Sequence, residues 1–249
     1  MKIKKLSPGI GSEIIDIDLK NLSTNDVVEI RQAIIERHVL FFRNQTLTPE
    51  DLPSIIQNFG ESYIHTQEVK YNKNPLIGYA KADVDTREYN NGTGMHIDRT
   101  YHPVPPRLGM LLINECPEVG GDTIFANAVQ IYNELDEELK NELEDKIAIH
   151  APHFSSLMDS RHPVFKIRPE TNQKFLYANR GFTRSIEGVS DSVLQLLLQK
   201  VDEPEYQCRF KWTPGSVAFW DNWGCQHRLV FDFYPETRIT YRVLTKNLY

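Results

Sequence analysis

The sequence predicts a mainly β fold with flanking helices, a two-sheet jelly roll whose mouth can hold a site. Three observations carry that expectation. From Arg107 onward, short segments of strand character follow one another, separated by turn residues. Helical patterns interrupt this series at two places, Ala128–Lys146 and the stretch after Ser190. The 249 residues show no internal repeat, low-complexity tract or obvious linker, so one domain spanning 1–249 is expected.

Taken in order, the first element is a capped helix. Ser23-Thr24-Asn25-Asp26 has the form of a capping box, in which serine and acid satisfy free N–H groups of the first turn. Val27, Ile30 and Ile34 then recur at helical spacing. Val39-Leu40-Phe41-Phe42 is a short apolar run, the mark of a buried strand. Thr48-Pro49-Glu50-Asp51 opens a second helix, with a cap, a proline at the first helical position and an acid at the third. Residues 66–95 are polar and irregular, with Asn90-Asn91-Gly92-Thr93-Gly94 at their end, and read equally as a lid or a surface connection. Strands are then expected at Leu108–Glu115, Asp122–Ala126, Ile147–Ala151, Val164–Ile167, Lys174–Ala178, Gln207–Trp212, Val217–Trp220 and Ile239–Leu244. The helix capped by Ser190 runs through Leu194, Leu197, Leu198 and Val201.

Bulk composition excludes several classes of function. A formal net charge of -6, with no run of Lys or Arg, leaves no footprint for nucleic acid. Met1–Lys20 begins basic but lacks the apolar stretch of a signal peptide, and nowhere do roughly eighteen apolar residues follow one another. Neither a nucleic-acid partner nor a membrane is expected. Cys116, Cys208 and Cys225 are odd in number and widely spaced, which fits reduced core thiols and a cytoplasmic protein.

The residues that carry chemistry are His96-Ile97-Asp98, then His227 far downstream, then Arg238 and Arg242. Alone, a His-x-Asp is weak evidence in a chain with 8 histidines. In extended backbone, however, residues two apart share a face, so His96 and Asp98 point one way and Met95 and Ile97 the other. Two histidines and a carboxylate are the donor set of the facial triad that binds non-haem Fe(II) and leaves positions open for co-substrate and dioxygen. On the last strand Arg238, Thr240 and Arg242 alternate with Ile239, Tyr241 and Val243, which places both guanidiniums on one face. Each can bind a carboxylate bidentately and stays charged at any working pH. Two such groups near a metal suit two different anions; a solvated face partnered by Glu236 is the plainer alternative. Gly120-Gly121-Asp122-Thr123 is a tight turn entering a strand, from which Thr123 can offer a hydroxyl inward. Together these residues point to an Fe(II)- and 2-oxoglutarate-dependent oxygenase. Two rivals stand beside it. A zinc hydrolase could use the same two histidines and carboxylate, which leaves Arg238 and Thr123 without a task. A catalytically silent jelly roll binding sugars or small anions leaves the triad unexplained.

From about Pro8 to Tyr249 the chain resembles the taurine dioxygenase family of Fe(II)/2-oxoglutarate oxygenases. The resemblance rests on His96-Ile97-Asp98-Arg99-Thr100, Pro105-Pro106, Gly120-Gly121-Asp122-Thr123, Trp220-Asp221-Asn222, Gln226-His227, Arg238 and Arg242, in this order. It implies the double-stranded β-helix form of the jelly roll. It implies that His96, Asp98 and His227 bind Fe(II), and that Arg238 and Thr123 hold the distal carboxylate of 2-oxoglutarate. Arg242 and His65 match the residues that grip the substrate's anionic group, so the implied partner is a small organic anion such as a sulfonate, sulfate ester or carboxylate. Dioxygen is the other co-substrate, no catalytic side chain is implied beyond the metal ligands, and the relatives imply a homo-oligomer.

Some positions depart from the family pattern. Thr66-Gln67-Glu68 follows His65 without the tyrosine usual three residues on, and Arg99 stands where a small apolar residue is usual. Gly92-Thr93-Gly94 replaces an Asn/Asp-rich approach to the first ligand, and the stretch from His150 to His162 is short. These departures turn the reading away from taurine itself and leave the expected iron and 2-oxoglutarate sites intact.

Overall fold

The computed structural model describes residues 1–64, 71–86, 92, 94–153 and 158–249. Along the chain its strands are β1 (Lys2–Lys5), β2 (Ser12–Ile15), β3 (Val39–Phe42), β4 (Gly78–Ala82), β5 (Leu108–Glu115), β6 (Thr123–Asn127), β7 (Ile147–His150), β8 (Ser160–Pro163), β9 (Phe165–Ile167), β10 (Lys174–Leu176), β11 (Thr183–Ile186), β12 (Gln207–Phe210), β13 (Val217–Asp221), β14 (Cys225–Leu229) and β15 (Arg238–Thr245). The α-helices are α1 (Thr24–Arg37), α2 (Leu52–Ile56), α3 (Ala128–Glu134), α4 (Glu137–Leu143) and α5 (Asp191–Val201). No helix among the described residues is long and apolar enough to cross a membrane.

The largest sheet has the order β1-β2-β3-β13-β5-β15-β4, antiparallel except where β2 runs beside β3. A second sheet, β12-β6-β14, faces it, and β11-β7-β8 and the β9–β10 hairpin complete the set. Period-two alternation decides which side chains meet between the two main sheets. Val39 and Phe41 of β3, Ala218 and Trp220 of β13, Ile113 of β5 and Leu244 of β15 share one core with Phe125 of β6 and Phe210 of β12. Their alternates, including Leu40, Phe42, Met110, Val217, Phe219 and Val243, form another core with Ile30 and Ile34 of α1 and Leu52 and Ile55 of α2. Phe41 and Phe210 stack at 3.8 Å across the gap. Gly109 makes room for the Trp220 indole, because a Cβ at that position would lie 2.1 Å from the ring. This is the two-sheet jelly roll expected.

Local signals act as their chemistry requires. Ser23 and Asp26 close the capping box of α1. Thr48 and Asp51 cap a single 3-10 turn that leads into α2. Cys208 and Cys225 are buried free thiols, and Cys116 is a half-buried one. Three expectations need correction. The helical pattern over Ala128–Lys146 is two helices, since Leu135 leaves the helical conformation while burying its side chain and Asp136 starts the next turn. The irregular stretch 66–95 contains β4, which pairs with β15; residues 65–70, 87–91 and 93 of that stretch lie outside the described residues, so the lid expectation falls partly there. Finally, β1, β2, β8, β11 and β14 appear where no strand was expected: β1 and β2 pair with each other and extend the sheet beside β3, and β8, β11 and β14 are recruited by pairing with β6 or β7.

Candidate metal centre

The centre forms where the segment 96–98 meets the β13–β14 turn. His96 and His227 form an isolated antiparallel bridge, each donating its N–H to the other's carbonyl at 2.9 and 2.8 Å. Asp98 is tied to the same turn through Asn222. Among the described residues, His96, Asp98 and His227 are a buried group whose ligand atoms all lie within 4.8 Å of one another. His96 Nε2 stands 3.6 Å from Asp98 Oδ1, and His227 Nε2 stands 3.9 Å from Oδ2, so the donors converge without hydrogen-bonding at normal length.

Three details fit this group to a divalent cation. Nδ1 of His96 lies 2.8 Å from the Gly94 carbonyl and donates to it, which leaves the Nε2 lone pair for a metal. Asp98 Oδ2 is buried and has no hydrogen-bond partner among the described residues, a costly arrangement for a carboxylate unless an ion fills that role. His227 is held by ring packing, stacked 5.7 Å from Phe125 and tilted against Trp220 at 5.2 Å, and burial with the nearby His96 lowers its pKa to about 3. A ring so placed is neutral at working pH and able to donate its lone pair. Burial alone would push the Asp98 carboxyl up. The Arg242 guanidinium, with His96 and His227 adding to it, instead holds that carboxyl well below the usual carboxylate range.

The two arginines sit on the same face of β15 as expected, and each already has an acceptor. Arg242 Nη1 donates to Asp98 Oδ1 at 2.7 Å. A guanidinium carries five N–H donors, so this bond does not exhaust it. Arg238 is buried over the Trp212 ring and donates through Nε to the Gly121 carbonyl at 3.2 Å. Thr123 Oγ1 accepts from Trp212 Nε1 at 3.0 Å, which leaves its own proton to give. The Gly120-Gly121 turn thus shapes the cradle around Arg238. Gly121 takes φ +69, and its N–H donates to Asp232. His65 lies outside the described residues.

The sequence singles out Trp220-Asp221-Asn222 and Thr100 within stretches that match the family, but assigns no role to the groups that hold this site. Asn222 is one. Another is Asp221, fully buried between Arg107 and Arg168, with Arg168 Nη2 donating to Oδ2 at 2.6 Å. A third is the polar set beneath the ligand turn. Thr100 Oγ1 accepts from Asn179 and is bonded to His150, while His162 Nε2 donates to the carbonyls of Thr100 and His102. The available signal was the Trp220-Asp221-Asn222 stretch itself, which lies just ahead of His227.

Comparison with known proteins agrees with this geometry. Residues 2–244 match the family described as "Taurine catabolism dioxygenase TauD, TfdA family". The chain belongs to that family. An alpha-ketoglutarate-dependent sulfonate dioxygenase of Saccharomyces cerevisiae is 30% identical over 94% of this chain, which spans 63% of the yeast protein's length. An alkylsulfatase of Acinetobacter baylyi is 30% identical over 98% of this chain and 84% of its own. The crystal structure of a taurine dioxygenase from Burkholderia xenovorans superposes with a TM-score of 0.89 and 30% identity, over 98% of this chain and 88% of that one. This TauD-family chain is a non-haem Fe(II)- and 2-oxoglutarate-dependent dioxygenase with the double-stranded β-helix fold. Membership decides against both the zinc hydrolase and the silent binding module.

Proposed function

We propose that the enzyme oxidises, by hydroxylation, a small organic anion bearing a sulfonate, sulfate ester or carboxylate. One observation supports this above all: the buried group His96, Asp98 and His227 lies against Arg242, and Arg238 projects from the same face of β15. In this reading the three residues hold Fe(II), Arg238 and Thr123 hold the distal carboxylate of 2-oxoglutarate, and Arg242 with His65 holds the substrate's anionic group. With metal and 2-oxoglutarate bound, the reaction they supply splits dioxygen between succinate and the substrate, and carbon dioxide leaves. The chain's own work is placement and exclusion. Phe125 and Trp220 beside His227, and Phe182 edge-on to His96 at 5.9 Å, line the ligands with apolar surface that keeps water away. The sulfonate- and alkylsulfate-directed names of the relatives support a sulfur–oxygen anion, and Arg99 after the carboxylate ligand weighs against taurine. The same reading makes residues 1–249 one catalytic domain of a cytoplasmic homo-oligomer; three unpaired cysteines support a reducing compartment.

Two measurements test the proposal. Anaerobic protein given Fe(II) and 2-oxoglutarate should develop a visible charge-transfer band, and His96→Ala, Asp98→Ala or His227→Ala should abolish or severely weaken it. Wild-type protein without Fe(II)-dependent 2-oxoglutarate binding would overturn the metal assignment. In a panel of sulfonates, sulfate esters and carboxylates, at least one class should trigger succinate release, while the neutral amides or esters of the same molecules should not. A neutral compound that outperforms every anion would refute the substrate half.

A further inference from the structure

Two of the three hydrogen bonds made by one buried side chain close on the backbone of Asp98. Asn222 is fully buried; its Oδ1 accepts the Asp98 N–H at 2.8 Å, and its Nδ2 donates to the Asp98 carbonyl at 3.1 Å and to the Pro106 carbonyl at 2.8 Å. These bonds fix the peptide groups on both sides of the Asp98 Cα, and with them the direction in which its carboxylate points. The backbone needs such a hold, because the next residue, Arg99, takes φ +58, a left-handed conformation that a long side chain rarely adopts. Asn222 is itself fixed: its own N–H donates to the Arg107 carbonyl, and the preceding Asp221 is gripped by Arg107 and Arg168. His227 follows on β14 and is bridged to His96. The two chain segments that supply the donor set are therefore tied twice, by the His96–His227 backbone pair and by Asn222 on Asp98.

We propose that Asn222 is a positioning residue for the metal, setting the aim of the Asp98 carboxylate rather than merely supporting the fold. The inference rests on His96, Asp98 and His227 being the metal ligands. Partners that orient ligands typically account for about 10- to 100-fold in metal affinity. Asn222→Ala should accordingly bind Co(II) at least tenfold more weakly than wild type and show a changed visible ligand-field spectrum. Asn127→Ala is the matched control. That asparagine is also a buried amide with three hydrogen bonds, to Val129 N, Gln130 N and the Gly9 carbonyl, and touches none of the ligands. It should lose thermal stability comparably and bind Co(II) as wild type does. Asn222→Ser, which keeps a hydroxyl in the turn, provides a second variant. Wild-type Co(II) affinity and spectrum in a folded Asn222 variant would overturn the proposal. So would failure of both variants to fold, since the side chain would then serve the fold. If instead wild-type protein binds no Co(II), or His227→Ala binds it unchanged, the ligand assignment has failed and not the role of Asn222.

Discussion

Arg238 donates to the Gly121 carbonyl and Arg242 to the Asp98 carboxylate from one face of β15, so replacing each arginine has a different expected result. A charge-assisted hydrogen bond contributes roughly 1.5–3 kcal/mol. At about 1.4 kcal/mol per tenfold, Arg238→Ala should weaken 2-oxoglutarate binding by one to two orders of magnitude or more, as followed by anaerobic titration. Arg242→Ala should leave that affinity nearly intact, and substrate should no longer trigger rapid turnover. The contact with Asp98 adds a further consequence. Without Arg242 the buried carboxylate loses its main counter-charge, and breaking such a pair costs on the order of 3 kcal/mol in the apo protein. A divalent cation can take over that task, so Co(II) should raise the Tm of Arg242→Ala by more than it raises that of wild type. Equal loss of 2-oxoglutarate binding in both variants would show that the division of labour is wrong.

Between elements, a fully buried tie beneath the site is Asp221 at the end of β13. It accepts from Arg107, at the entry to β5, and from Arg168, which follows β9 and also donates to the Ile35 carbonyl of α1. Arg107 further pairs with Glu170. Removing one partner of a fully buried pair leaves the rest uncompensated, so Arg168→Ala should lower stability by about 3–5 kcal/mol. For a chain of this size that is a fall in Tm of roughly 10 °C. A loss below about 1 kcal/mol would mean that water or neighbouring groups compensate Asp221 without Arg168. Asp221 stands out in the sequence within Trp220-Asp221-Asn222, but its pairing with Arg107 and Arg168 does not, because it joins residues that only the folded sheets bring together. What is legible is what the residues settle by themselves. β3, β5, β13 and β15 announce themselves through apolar or alternating runs, and Ser23 announces α1. β8 (SRHP), β11 (TRSI) and β14 (CQHRL) carry polar residues with no periodic signal; their neighbours' free backbone edges make them strands. The ligand set can be read as residue types in order. The aim of Asp98 cannot, since it depends on an amide far away in the chain.

Across the whole molecule, three buried histidines outside the ligand set make stability depend on pH in a definite direction. Burial lowers His38 and His150 to about 3 and His162 to about 4. Nearby cations reinforce the effect: Arg168 beside His38, and Lys166 beside His150 and His162. In the unfolded chain each of these rings titrates near ~6.5. Between about pH 6.5 and 4, then, the unfolded chain takes up protons that the folded chain refuses, and stability falls as pH falls. The slope is up to ~1.4 kcal/mol per pH unit for each histidine kept neutral. Asp98 and Asp221, both held below the usual carboxylate range, act in the same direction at lower pH. Their contribution is present above the unfolded value of about 3.9 and is lost as pH falls through their folded values. The Tm of chelator-treated protein should therefore be nearly flat above about pH 7 and descend progressively below about 6.5. His38→Asn isolates one contributor. Position 38 has φ 63, a left-handed conformation that asparagine tolerates, so the variant removes a titrating ring without opposing the backbone. Its Tm should be lower overall but descend less steeply with acid. A wild-type Tm that does not change between about pH 7 and 5 would show that the folded protein protonates these rings without penalty, and that the polar set beneath the ligand turn is open to solvent.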